Sequence, residues 1–223
     1  MTVLDTAFTL PCGISIPNRL CKAAMTEGLA EPGGRAGARI ERVYRLWSEG
    51  GAGLILTGNI MVDRRYRERA ANIVVDGPQD DAAMAGLKAY AEACKSGGSV
   101  GVAQISHAGR QSPKAIAPEP VGPSAVEMKL PGGLFGAPRA LSEDEVTDVI
   151  ARFAATAKTL CEAGFDGVQI HAAHGYLISE FLNPLVNQRT DEWGGSLDNR
   201  ARLLIETVRA VRAAVSIPVI GCG

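Results

Sequence analysis

The sequence has little that would tie it to a polyanion or a bilayer: its 223 residues carry 23 Lys and Arg against 24 Asp and Glu, for a formal net charge of -1. Without a basic face there is no field to gather nucleic acid or an anionic membrane. No charge-free apolar stretch approaches the ~20 residues needed to span a bilayer. The N-terminal Met1-Thr-Val-Leu-Asp5 lacks the basic and apolar regions of a secretion signal, so an unprocessed cytoplasmic chain is expected. The five cysteines, Cys12, Cys21, Cys94, Cys161 and Cys222, are odd in number, scattered and never spaced C-x-x-C, which argues against a disulfide framework and a thiolate zinc site. Internal repeats and low-complexity tracts are also missing. What is present is ordinary globular material, 46% hydrophobic and 21% charged, and the default partner is a small molecule.

The order of elements narrows the fold. Phe8 to Pro11 and Ile14 to Pro17 flank the turn-like Cys12-Gly13 and predict a small N-terminal hairpin. Leu20–Met25 reads as a first strand. Ile40, Val43, Leu46 and Trp47 then recur at helical spacing until Gly50-Gly51, and Leu54–Thr57 is a second strand. A helix over Ala82–Lys95 leads to a third strand, Ser99–Ile105. Ser142-Glu-Asp-Glu145 is a capping box opening a helix that runs to Ala163-Gly164, and Val168–His171 is a fourth strand. Arg200–Ala214 is helical, and Ile217–Ile220 is a fifth strand.

Near-continuous apolar strands joined by helices mean a parallel sheet covered on both faces. An open dinucleotide-binding sheet should show G-x-G-x-x-G after its first strand, but Met25-Thr-Glu-Gly-Leu-Ala30 holds one glycine. The expected fold class is therefore α/β, a TIM (β/α)8-type barrel that is incomplete. About five βα units are present, with the N-terminal hairpin and a long capping loop, Ser106 to Leu141, after strand 3. Residues 1–223 are expected to form a single, truncated barrel domain.

In a barrel, function sits on the loops after the strands. The polar residues gather there: Thr26 and Glu27, Gly58 and Asn59, Gln104 to Arg110, and His171 to Tyr176. Two of the three histidines fall in His171-Ala-Ala-His174. Three readings compete. The pair is structural and bonded to backbone; or it is part of a metal-dependent hydrolase site, with H-E-x-x-H absent and His107, Glu180 and Asp191 as unproven ligands; or it donates hydrogen bonds to a substrate oxyanion beside the Tyr176 phenol, a general acid.

The run His171-Ala-Ala-His-Gly-Tyr-Leu-Ile-Ser-Glu-Phe-Leu-Asn-Pro-Leu-Val-Asn-Gln-Arg-Thr-Asp-Glu-Trp-Gly-Gly-Ser-Leu-Asp-Asn-Arg200 resembles the signature of the Old Yellow Enzyme family of NADH:flavin oxidoreductases. Pro17-Asn-Arg-Leu-Cys-Lys-Ala-Ala-Met-Thr26, Gly53-Leu-Ile-Leu-Thr-Gly-Asn59 and Val102-Ala-Gln-Ile-Ser-His-Ala-Gly-Arg110 are similar to the family's first three strands, in order.

The resemblance implies an FMN at the strand C-termini, with NADH or NADPH as electron donor. Ala23, Ala24 and Met25 would line the ring, Thr26 would hydrogen-bond its O4 and N5 edge, and Gly58 and Asn59 would pass beneath it. Gln104 would pair with the pyrimidine edge. It further implies an ene-reductase: hydride goes from flavin N5 to the β-carbon of an α,β-unsaturated carbonyl held by His171 and His174, and Tyr176 protonates the α-carbon. His107 and Arg110 are expected to shape the loop, with Arg110 in a salt bridge. Arg189, Asp191, Asn199 and Arg200 are expected to form a polar network.

The chain also departs from the family. A (β/α) barrel has eight strands, and its phosphate site follows the seventh and eighth. The sequence supplies five, and its close, Ile217-Pro-Val-Ile-Gly-Cys-Gly223, is more like the family's seventh strand than its fifth, which raises a truncation or rearrangement. Two open parallel edges give an alternative: a catalytically silent fragment that needs self-association, as a homo-oligomer, or a complementing half.

Overall fold

The computed structural model describes residues 3–130 and 132–222. An antiparallel hairpin of β1 (Phe8–Thr9) and β2 (Ser15–Ile16) comes first, its turn carried by Gly13 at φ 90°. Then follow β3 (Cys21–Lys22), α1 (Ala38–Glu49), β4 (Leu54–Leu56), β5 (Ile60–Met61), β6 (Ile73–Val74), α2 (Asp81–Lys95) and β7 (Val100–Ser106). The chain continues with β8 (Val121–Gly122), β9 (Arg139–Ala140), α3 (Glu143–Glu162), β10 (Gly167–His171), α4 (Leu177–Leu182), α5 (Leu197–Ala214) and β11 (Val219–Cys222).

The main sheet has the order β11-β10-β7-β4-β3, all neighbours parallel. Along this path the strands run in chain order, the order of a barrel wall and not the reversed order of a doubly wound sheet. Helix ends are fixed by local chemistry. Asp80 accepts from Ala83 N at the start of α2, and Ser196 does the same for Asn199 N at the start of α5. The capping box opens α3, with Ser142 and Glu145 satisfying each other's backbone N–H.

Alternation along the strands separates two environments. On the face toward the helices, Ile55, Ala103, Ile105, Val168 and Ile170 join one large buried cluster with Tyr44, Tyr90, Phe153, Leu160 and Leu203. On the other face, Val100 and Val102 pack with Leu54 and Leu56 against Ile14 and Ile16 of the hairpin, which plugs the lower end of the curled sheet. Further along, the same inward positions become polar: Gln104, Gln169 and His171. This switch from apolar plug to polar rim positions the site.

The structure differs from the sequence expectation in detail. The first strand is paired only over Cys21–Lys22, because residues 23–25 leave the ladder to line the cleft. The last is Val219–Cys222, since Pro218 has no N–H to give and instead accepts from Val168 N at 3.0 Å. Four short strands, β5, β6, β8 and β9, and the helix α4 were not foreseen. β4 and β5 both pair with β7, and the break between them is bridged by Thr57, whose hydroxyl accepts from Gln104 N at 2.8 Å. No helix among the described residues is long and apolar enough to cross a membrane.

Candidate active site

At the carboxyl ends of β3, β4, β7 and β10 lies a cleft of about 430 Å³. Ala23, Ala24, Met25 and Thr26 form one wall, Leu56, Asn59 and Gln104 the floor, and Gln169, His171, His174 and Tyr176 the far wall. All the expected site residues except Gly58 line it. Met25 is 54% exposed, so it is a cleft-lining thioether and not part of the core. Gly58 borders a neighbouring crevice, where an added Cβ would strike the Met25 carbonyl and approach Thr26 Cα to 2.8 Å. Its smallness lets the ends of β3 and β4 close together.

The His-Ala-Ala-His segment folds back on itself because His174 and Gly175 adopt successive positive φ values, 58° and 73°. His174 is the one non-glycine among the described residues in this region, a conformation that costs roughly 1–3 kcal/mol and concentrates at functional sites. Gln111 Nε2 donates to the His174 carbonyl at 2.6 Å and holds the turn. The result stacks three rings edge-on: His171 lies 5.0 Å from His174 and 4.9 Å from Tyr176 between centroids. Burial, helped by the neighbouring His174, lowers His171 to about 4, with Glu68 opposing, so the imidazole is neutral near pH 7.

Glu68, on the chain between β5 and β6, completes the cleft and was not foreseen. Its Oε2 accepts from the Tyr176 hydroxyl and from Asn59 Nδ2, each at 2.6 Å. Burial pushes its carboxyl up, but hydrogen bonds from Thr26, Tyr176, Asn59 and Asn72 outweigh that and hold it below the usual glutamate value. Tyr176 moves the other way: burial and the Glu68 carboxylate raise its phenol well above the ordinary tyrosine value. Arg69 and Gln169 were also missed. Arg69 is the one cation lining the cleft among the described residues. Gln169 Oε1 is buried there with no partner.

The peripheral residues fall outside. His107 is buried against the Tyr66 ring and accepts from Gly109 N at 3.1 Å, and neither it nor Arg110 lines the cleft. The expected salt bridge of Arg110 is not formed: its guanidinium donates to the Val126 carbonyl at 2.8 Å, and its backbone N–H, not its charge, meets Glu180 at 3.0 Å. Burial keeps the Glu180 carboxyl well above its usual value, which leaves little anion there to attract a cation. The network expected after the fourth strand forms only in part, because Asn199 and Arg200 do not join Arg189 and Asp191: Asn199 Oδ1 accepts instead from Arg202 Nη2 at 3.4 Å. Arg189 grips Asp191 through Nε at 3.0 Å and donates to the Leu141 carbonyl at 2.5 Å, while Arg200 donates to the Leu182 carbonyl at 2.9 Å. Among the described residues no group of three or more His, Cys, Asp or Glu side chains could hold a metal ion, so the hydrolase alternative lacks a ligand set.

The geometry is that of a small-molecule cleft at the C-terminal rim of a parallel barrel wall, carrying a tyrosine, paired histidines and convergent amides. A model of the NADH:flavin oxidoreductase / NADH oxidase family matches residues 12–222, and the chain belongs to that family. It is 39% identical over 222 residues to the NADH-dependent flavin oxidoreductase iliE of Hypocrea jecorina, covering 93% of this chain and 55% of the relative. Morphinone reductase in complex with tetrahydroNAD superposes with a TM-score of 0.85 at 30% identity, over 99% of this chain and 64% of that one. An Old Yellow Enzyme homologue from Zymomonas mobilis gives 0.87 at 28% identity, over 99% and 63%. The chain thus spans about half the length of the curated relatives it matches.

The family works with FMN and a reduced nicotinamide nucleotide. The residues present fit the flavin ring: small Ala23 and Ala24 leave room on one wall, and the orphaned Gln169 Oε1 is an acceptor waiting for a donor such as a ring N–H.

Proposed function

We propose that the cleft binds the ring of FMN and reduces the activated C=C bond of an α,β-unsaturated carbonyl compound, with NADH or NADPH as electron donor. The observation that carries this reading is the convergence of the Tyr176 hydroxyl, the His171–His174 pair and the unpartnered Gln169 carbonyl on one cleft. When bound, the flavin supplies the hydride chemistry. The chain's own residues do the rest. Thr26, Asn59, Gln104 and Gln169 orient the ring, and Ala23, Ala24 and Met25 shape the wall beside it.

His174 and His171 hold the substrate carbonyl oxygen, and Tyr176 keeps the proton that goes to the α-carbon. An oxyanion donor of this kind is worth roughly 3 to 4 kcal/mol where one has been removed in other enzymes. Replacing Tyr176 by Phe is expected to slow enone reduction while leaving flavin reduction by NAD(P)H intact; equal loss of both steps would refute its part as proton donor.

The open sides of β3 and β11, unpaired among the described residues, favour a second reading in which the half-barrel acts only in association with another chain or a complementing half. Sedimentation velocity tests it. Concentration-dependent association supports this reading, and a monomer at all concentrations that still reduces an enone removes it.

A further inference from the structure

We propose that Glu68 is the positioning residue of the site: its carboxylate orients the Tyr176 phenol, keeps it protonated, and sets the direction of the Asn59 and Gln104 amides. This deepens the reading of Tyr176 as proton donor and rests on it.

Glu68 comes from a loop 108 residues before Tyr176 in the chain, and its side chain is only 6% exposed. An ionised carboxylate only accepts hydrogen bonds. Every polar neighbour here accordingly donates. Tyr176 Oη and Asn59 Nδ2 reach Oε2 at 2.6 Å, Asn72 Nδ2 reaches Oε1 at 3.4 Å, and the Thr26 hydroxyl adds another bond.

The direction then propagates. With its Nδ2 committed to Glu68, Asn59 turns Oδ1 toward Gln104, whose Nε2 donates to it at 2.6 Å. Gln104, which lines the cleft, thus has its Nε2 committed to Asn59 and its carbonyl oxygen left over to accept. One charge thus decides two amide orientations that an uncharged residue would leave open. The path Gln104–Asn59–Glu68–Tyr176 links the residue expected at one edge of the flavin to the residue expected to give the proton.

The same contact adds to burial in opposing ionisation of the phenol. Loss of the Tyr176 proton would set a phenolate 2.6 Å from a carboxylate, and like charges at that range resist it. The other charged and titratable groups facing the pair are Arg69, whose Nε lies 3.4 Å from Glu68 Oε1 with its side chain 56% exposed, and the His171 ring with His174 behind it. Arg69 screens the carboxylate only partly from its exposed position, and His171 is neutral near pH 7. Glu68 is therefore the charge that dominates at the phenol.

The test is an ultraviolet titration of tyrosinate in the purified chain without flavin, comparing wild type, Glu68→Gln and Tyr176→Phe, the last assigning the signal. In wild type, Tyr176 should stay protonated through the range where an ordinary tyrosine ionises, near pH 10. In Glu68→Gln its acidity should rise at least tenfold. An unchanged midpoint overturns the proposal, because a merely structural Glu68 would not move it.

Should that variant not fold, wild-type protein labelled at the tyrosine ζ carbon gives a second answer. The Tyr176 signal should titrate with the Glu68 carboxyl at a midpoint below the ordinary glutamate value, and a flat signal overturns the proposal. Both readouts are independent of turnover, so failure of the proton-donor reading, seen in the enone assay of Tyr176→Phe, is distinguishable from failure of this one.

Discussion

His171 Nε2 and His174 Nδ1 lie 3.1 Å apart, and the backbone N–H of Ala173 donates to His171 Nδ1 at 3.2 Å. Because His171 Nδ1 accepts, the neutral ring carries its proton on Nε2 and gives it to His174 Nδ1, leaving His174 Nε2–H as the ready donor. A carbonyl oxygen that takes both N–H groups has to open this bond.

The tautomers are therefore fixed and testable. Imidazole 15N shifts at pH 7 should show His171 protonated at Nε2 alone and staying neutral until about pH 4, where its burial sets the midpoint. A midpoint near 6.5, the ordinary value, would mean the ring is solvated and the pair is not formed.

Gln169 tests the flavin assignment. Among the described residues its Oε1 takes no hydrogen bond from the protein, which leaves it to a partner outside the chain. Gln169→Leu should therefore weaken FMN binding about tenfold, a loss of roughly 1.4 kcal/mol. Fluorescence titration measures it, and a variant that binds FMN as well as wild type contradicts the assignment.

Gly58 should not tolerate a side chain. The Cβ of Gly58→Ala would press on the Met25 carbonyl and come within 2.6 Å of Glu27 Oε2, so the ends of β3 and β4 have to separate. A cost of about 1–3 kcal/mol is expected in urea unfolding, with weaker flavin binding because residues 23–26 move. An unchanged midpoint would show that this wall is slack.

Buried His107 predicts an acid-dependent stability. Burial lowers it to about 4, so between about 6.5 and 4 the unfolded chain binds a proton that the folded chain refuses. Its contribution is complete above 6.5 and falls by up to ~3 kcal/mol as the pH drops through that window. Glu180, raised well above its usual value, acts in the opposite sense, but it cancels between variants. The stability difference between wild type and His107→Asn should thus shrink from pH 7 to pH 5. Parallel curves would contradict the burial argument.

Much of this was legible because local pattern carried it. The βα rhythm follows from period and punctuation, and the block from His171 to Arg200 marks the fourth strand and its loop. Gln169 was also within reach: in Val168-Gln-Ile-His171 the two polar residues sit two apart, the spacing of one strand face. Glu68 was not. It stands in the run Arg64-Arg-Tyr-Arg-Glu-Arg69, which reads as a solvated loop, and its meaning comes from a partner 108 residues away. The short first ladder had the same cause, since Ala23 to Met25 keep a strand-like sequence while serving the cleft.

The flavin proposed for this cleft would be held through Gln104, Gln169 and Asn59. Titrating the purified chain with FMN while following flavin fluorescence and the visible spectrum tests it most directly. The account predicts saturable one-to-one binding with a perturbed spectrum, weakened by Gln169→Leu. A chain that folds, stays colourless and leaves FMN fluorescence unchanged would contradict it.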